Sequence, residues 1–394
     1  MQKFLMRWRA NTFTGWGVLG LNLFELWAAD PQVQPLMGAP IVPRSLAGID
    51  PLRHTILQPA ISASNQFLED LAAAKLNLRE HRVVAIDGFG NRFTPNVPRG
   101  DQVGFRNVAR CIFESTRTEN AESVEGYDSV LCASRWSADL LRGATNVPVT
   151  MIHEGIDHSL FSPGARSGVL DPECFYIFTG GKIEFRKAQD LVIMAFREFA
   201  ARHDDAVLVA AWSSPSPELS VGFQGNLPAP LRTNSNGALD LQRWVAENGI
   251  SPHQFIALPV MPNLLMPAVL REMDCALQVS RCEPCTNLPA KEAMACGVPV
   301  ILANNTGTRD LIDSDNCVSL TSQDPVPGEP GWDTGTDGWG ESRVEEIVSA
   351  LEKLYTDSQM RRRIGVRGAE WILEHRRTWQ AHASALKDHL YSLL

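Results

Sequence analysis

The 394-residue sequence has no apolar run near the roughly 20 residues that span a bilayer, and its opening stretch, "MQKFLMRWRANTFTGWG", is broken by Arg7, Arg9 and Asn11. No transmembrane segment is therefore expected. A basic excess is missing too. The 36 Lys and Arg stand against 45 Asp and Glu, a net charge of −9, which works against broad capture of nucleic acid or an anionic membrane. The eight cysteines are scattered, mostly inside apolar runs, and no secretory leader precedes them, so reduced thiols in a cytoplasmic protein are expected. Cys282 and Cys285, in "CEPC", have the spacing of a metal or redox pair, yet no second Cys or His pair lies at ligand spacing nearby. No metal site is expected from them. Internal repeats and low-complexity tracts are also lacking.

What is present is an ordinary globular composition, 44% hydrophobic and 21% charged, in a chain longer than one core usually supports. Two domains are expected. Short apolar runs rich in β-branched residues alternate with helical patterns, the mark of parallel βαβ units. In the first half, strands are expected at "RVVAID" (82–87), "CIFE" (111–114), "SVLCAS" (129–134) and "PVTMIH" (148–153). In the second half they fall at "CFYIFTG" (174–180), "AVLVAAW" (206–212), "QFIALP" (254–259), "CALQVS" (275–280) and "VPVILAN" (298–304). The boundary belongs in residues 155–173, where Pro, Gly and Ser gather, and residues 321–342 form a long irregular loop.

The stretch "EPCTNLPAKEAMACGVPVILAN" (283–304) carries the first chemical signal. Pro289 suits the first position of a helix, Lys291 to Cys296 favour helix, and Gly297 stops it. That places Glu292 in the first turn and Glu283 just outside it. The amides of Thr286, Asn287 and Leu288 then point along a positive helix end, a ready phosphate site. In "FTGGKIEFRKAQDLVIMAF" a strand ends at Gly180 and Gly181 and a helix begins near Gln189. Lys182, Arg186 and Lys187 thus occupy a loop at the carboxyl end of a strand, where open α/β sheets bind ligands. Together they have the charge to neutralise a diphosphate; a solvated basic turn is the plainer alternative. Gly15, Gly17 and Gly20 of "TGWGVLG" have the G-x-G-x-x-G spacing, without the acidic residue that a dinucleotide fold expects about 20 residues later. They serve either close approach of a helix to a ligand or close packing alone.

Taken together, these segments resemble the family-4 retaining glycosyltransferases. The resemblance implies an α/β protein of the GT-B fold, two Rossmann-like domains facing across a cleft. Residues 1–160 would form the acceptor-side domain and 170–377 the nucleotide-sugar donor domain, with a C-terminal helix (378–394) packing back on the first. "SRCEPCTNLPAKEAMACGVPVILANNTGTRDLI" looks like the donor-site signature, "GGKIEFRKAQDLVIMAF" is similar to the phosphate loop, and "TGWGVLG" to the acceptor-domain glycine loop. "VLCASRWSADLL" and "VTMIHEGIDHSLFSP" resemble the interdomain crossing. The pattern implies that Lys187 contacts the donor diphosphate and that Lys182 stands where the family usually has arginine, without its bidentate geometry. Glu292 would accept hydrogen bonds from the ribose, Asn287 and Leu288 would offer amides to phosphate, and Glu283 would lie near the transferred sugar.

The chain departs from the family in two places. The loop between Glu283 and Glu292 is one residue longer than usual, and "CIFESTRTEN" stands where many members have an acceptor-side histidine, so Glu114 or Ser115 takes that place. The implied activity is transfer of a sugar from a nucleotide-diphosphate sugar to an acceptor hydroxyl, retaining and without a metal or other cofactor. A catalytically inactive binding protein or subunit and a dinucleotide-dependent oxidoreductase are the alternatives.

Overall fold

The computed structural model describes residues 1–97, 102–331 and 333–394. The chain divides into two compact units. Unit 1 comprises Met1–Asp157, Pro262–Leu265 and Arg376–Leu394, and unit 2 comprises His158–Met261 and Met266–His375. Trp332, within the expected 321–342 loop, lies outside the described residues.

Unit 1 runs β1 (Gln2–Arg7), α1 (Gly15–Ala28), β2 (Val33–Met37), α2 (Pro51–Ala72), β3 (Val84–Gly90), β4 (Thr94–Pro95), β5 (Arg106–Cys111), β6 (Ser129–Cys132), α3 (Arg135–Ala144) and β7 (Val149–Met151). Its sheet has the order β2-β1-β3-β5-β6-β7, with β4 paired to β3. Neither β1 nor β2 is among the expected strands. In β1 the consecutive residues Phe4, Leu5 and Met6 are all buried, as in a strand covered on both faces.

The expected strand at 111–114 is displaced: β5 ends at Cys111. Its polar residues hide it from an apolar search. The Asn107 side chain accepts from Gly104 N at 2.8 Å, and Arg110 pairs with Glu154 at 2.9 Å. The G-x-G-x-x-G glycines lie inside α1, capped by Thr14, whose hydroxyl accepts from Gly17 N at 3.1 Å. A Cβ on Gly17 would sit 2.3 Å from the Asn11 amide, and one on Gly20 would sit 2.6 Å from Trp8 Nε1. Both glycines therefore serve close packing against residues 8–11, while Gly15 faces open space.

Unit 2 runs β8 (Phe175–Lys182), α4 (Gln189–Ala200), β9 (Ala206–Ser213), α5 (Pro217–Ser220), α6 (Leu241–Glu247), β10 (Phe255–Ala257), α7 (Met266–Leu270), β11 (Cys275–Gln278), α8 (Leu288–Ala295), β12 (Val300–Ala303), β13 (Val318–Leu320), β14 (Gln323–Pro325), β15 (Gly340–Ser342), α9 (Val344–Thr356) and α10 (Ser358–Glu374). Six strands are parallel in the order β10-β9-β8-β11-β12-β13, and β14 pairs antiparallel with β15 in the region expected to be irregular. Ile177, Leu208, Leu277 and Ile301 on the strands pack with Phe196 and Phe199 of α4 and Leu351 of α9, all fully buried. Strand order reverses between β8 and β11. The space outside the carboxyl ends of those two strands is where such a sheet accepts ligands.

The last helix, α11 (Trp379–Ser392), belongs to unit 1. Trp379, Leu386 and Leu390 are buried, Trp27 Nε1 donates to Ala383 O at 3.2 Å, and Lys387 pairs with Asp30 at 2.6 Å. Among the described residues no helix is long and apolar enough to cross a membrane. None of the eight cysteines forms a disulfide, and burial pushes the Cys132 thiol up to about 11.

Candidate functional site

From β8 the chain turns through Phe185–Lys187 and enters α4 after Ala188, which holds a left-handed φ of 57°. From β11 it runs through Ser280–Thr286 to Asn287, the N-cap of α8, whose side chain accepts from Ala290 N at 3.1 Å. The helix begins at Leu288, earlier than expected, with Pro289 at its second position. Glu292 therefore lies in the second turn, and the first turn holds no acidic residue. The Asn287 cap sets this start, and proline at the second position still costs no intrahelical donor. The backbone N–H groups of Thr286, Asn287 and Leu288 find no acceptor among the described residues, as the orphan donors of a helix start do.

The two loops meet at Glu283, which is only 3% exposed. Its Oε1 accepts from Lys187 Nζ at 2.6 Å, Ser280 Oγ at 2.7 Å and Asn287 Nδ2 at 3.0 Å, and Arg186 Nη1 lies 3.5 Å from Oε2. The backbone is pinned as well. Glu283 N donates to Thr306 Oγ1 at 2.8 Å, and Gly307 N donates to Glu283 O at 2.9 Å. A Cβ at position 307 would lie 2.0 Å from Cys285 O, so only glycine admits this approach.

Glu184 sits between Lys182 Nζ at 3.0 Å and Arg186 Nη2 at 2.8 Å. Burial opposes its ionisation, but the charges of Arg186 and Lys182 outweigh it and hold the pKa down at about 2. Lys182 and Arg186 thus pair with Glu184, and Arg186 and Lys187 with Glu283.

The structure brings Arg186, Lys187, Glu283 and Asn287 together. Lys182 is half exposed and pairs with Glu184. Thr286 is fully buried and its hydroxyl has no hydrogen-bond partner. Glu292 is buried on α8, and Leu288 is partly buried. Glu114 follows β5 in unit 1, where its N–H and that of Ser115 donate to Asn91 Oδ1 at 2.7 and 3.2 Å. Gly15 and Gly17 are also in unit 1. Sequence reasoning passed over Ser280, Glu184 and Thr306. All three lie within the segments that carry the resemblance, and Thr306 is brought to Glu283 from beyond β12 by the fold rather than by local spacing. Among the described residues no group of three or more His, Cys, Asp or Glu is placed to hold a metal ion.

Two parallel α/β sheets in one chain, the second with a cationic loop and a helix start at its order reversal, define a GT-B protein. Residues 166–371, more than half of the chain, match the family model for glycosyl transferases group 1, and the chain belongs to that family. It is a glycosyltransferase. The sucrose-phosphate synthase of Thermosynechococcus elongatus is similar in structure, with a TM-score of 0.68 at 16% identity, covering 100% of this chain and 99% of that one. The HepE protein of Anabaena, in complex with UDP and glucose, superposes with a TM-score of 0.61 at 14% identity, covering 100% of both chains. A glycosyltransferase from Rickettsia africae gives a TM-score of 0.63 at 11% identity, covering 100% of this chain and 98% of that one. No curated protein gives a significant match.

Proposed function

We propose that the protein transfers a sugar from a nucleotide-diphosphate sugar to an acceptor hydroxyl, with retention of anomeric configuration and without a bound metal. One observation carries this reading. Lys187 and the amino end of α8 converge on the same carboxylate oxygen, at the point where strand order reverses. Leaving-group chemistry needs preorganised positive charge at a pyrophosphate. Lys187, Arg186 and the amides of Thr286–Leu288 supply it in this arrangement. When the sugar–phosphate bond breaks, the departing diphosphate gains negative charge, and these groups stabilise it without reorganising.

Glu283 then has two tasks. It holds the Lys187 ammonium in place, and it presents a carboxylate near the transferred sugar. Glu292 accepts from the ribose hydroxyls. Unit 2 carries the donor site and unit 1 the acceptor side, with Glu114 or Ser115 in place of the acceptor-side histidine. The Anabaena protein has a second crystal structure in complex with UDP-glucose, so a uridine diphosphate sugar is the first donor to test.

The experiment is a thermal-shift screen of UDP-, GDP- and ADP-sugars beside NAD and NADP, followed by a transfer assay with the stabilising donor, since a ligand that binds only the native state raises the melting temperature. A stabilising nucleotide sugar that is transferred or hydrolysed bears the proposal out. Stabilisation without turnover of any donor selects the inactive binding protein, and stabilisation by NAD or NADP alone selects the oxidoreductase.

A further inference from the structure

We infer that Arg281 is a positioning residue of the donor site, an internal joint that holds the Lys187 loop and the β14–β15 hairpin in one geometry; this rests on the donor-site reading above. Arg281 lies two residues before Glu283 and is fully buried. A guanidinium in that position is tolerated only when its donors are met. Nη1 and Nη2 form a two-pronged pair with Asp190 of α4, at 2.8 and 2.7 Å, and Asp190 is itself fully buried. Nε donates to Glu341 of β15 at 2.5 Å. Nη1 also donates to Phe185 O at 2.7 Å, and the guanidinium lies 4.2 Å from the centre of the Phe185 ring.

The backbone of the same residue grips the same two segments. Arg281 N donates to Arg186 O at 2.7 Å, and Gly340 N donates to Arg281 O at 3.0 Å. Cys282 N adds a contact to Arg186 O at 3.2 Å. The carbonyls of residues 185 and 186, immediately before Lys187, are thus bound to Arg281 and its neighbour. Asn305 reinforces the hairpin side, its Nδ2 donating to Ser280 O at 2.9 Å and Gly340 O at 3.0 Å. Arg281 touches neither Glu283 nor Lys187 through its side chain. It acts on them through the backbones that carry them, so its removal shifts the pyrophosphate grip while sparing whatever binds the nucleoside.

The test uses the full chain and isothermal titration with UDP, GDP and ADP, each beside its nucleoside. Arg281→Lys keeps the charge and loses the two-pronged geometry. Misplacing one charge-assisted hydrogen bond to a phosphate weakens binding about 10-fold or more, so the diphosphate bound by the wild type should weaken by at least roughly that factor, with nucleoside affinity unchanged. An unchanged diphosphate affinity, or an equal loss for nucleoside and diphosphate, overturns the inference. Where Arg281→Lys does not fold, Glu341→Ala decides, because it frees the hairpin arm and leaves the Asp190 pair intact. A loss confined to the diphosphate supports the joint, and no loss overturns it. A wild type that binds none of the three diphosphates removes the donor-site reading itself, and the inference with it.

Discussion

Lys187 and Glu184 illustrate how one loop divides its charges between function and order. Lys187 points into the Glu283 cluster, whereas Glu184 ties down the two cations on either side of it in the chain. Replacing Lys187 with Ala leaves Glu283 with Ser280, Asn287 and Arg186 as donors, so the fold should persist. Losing one preorganised charge at the leaving group should lower kcat about 100- to 1,000-fold; a transfer assay beside a melting curve separates the two effects. If side chains supply that charge, as proposed, transfer should continue in excess EDTA at an undiminished rate, and loss of activity restored by Mg2+ would refute that part of the mechanism. Glu184 makes a separate, pH-dependent prediction. Its folded pKa of about 2 lies below the ordinary glutamate value of about 4.3, so its stabilisation is complete above the ordinary value and fades as pH falls through the folded one. Urea unfolding should therefore show wild type more stable than Glu184→Gln at neutral pH, by about 3 kcal/mol at most. The gap should close between about pH 5 and pH 2; a gap constant over that range would contradict the assignment.

At the scale of elements, α8 shows what a sequence can and cannot disclose. Its existence, its stop at Gly297 and its place after a strand follow from "NLPAKEAMACG", because helix propensity and proline chemistry act locally. Its first residue did not follow, because Asn287 caps it from a left-handed φ of 51° while its side chain also donates to Glu283. This gives a paired prediction. Asn287→Ala loses the cap, about 1 kcal/mol, and puts at positive φ a residue without the short polar side chain that lets asparagine tolerate it, at about 1 kcal/mol more. Asn287→Gly avoids the second cost, so denaturant midpoints should rank wild type, then Gly, then Ala. An Ala variant at least as stable as the Gly variant would remove the strain argument. Strands behaved the same way. The apolar runs of β8, β9, β11 and β12 were legible, while β1 and β5, interrupted by Lys3, Arg7, Asn107 and Arg110, were not. Their charges are satisfied by distant partners such as Asp87 and Glu154, which local pattern does not record. The β14–β15 hairpin was hidden for the same reason, since Asn305, Gln323 and Arg281 hold it across long sequence distances.

Across the full chain, the path crosses between units more than once, while the Glu283 cluster draws on unit 2. Every residue that meets at Glu283, and every partner of Arg281, lies between His158 and His375. The core of unit 2 closes within the same limits, from Phe175 to Ile364. Unit 1, by contrast, takes α11 from the far end of the chain, with Trp379, Leu386 and Leu390 buried in it. A fragment of residues 158–375 should therefore fold by itself and bind the nucleoside diphosphate with close to the affinity of the full chain, since domains with their own core fold as units. It should transfer no sugar, because the acceptor side is missing. Truncation after His375 should have the opposite effect, lowering the stability of unit 1 by uncovering Trp27 and Phe4 while leaving nucleotide affinity unchanged. Calorimetry and ligand titration on the fragment and the truncated chain check both statements. A fragment that folds but does not bind the diphosphate would place a necessary part of the donor site in unit 1, and the convergence of Lys187 and Asn287 on Glu283 would then be insufficient to hold a pyrophosphate.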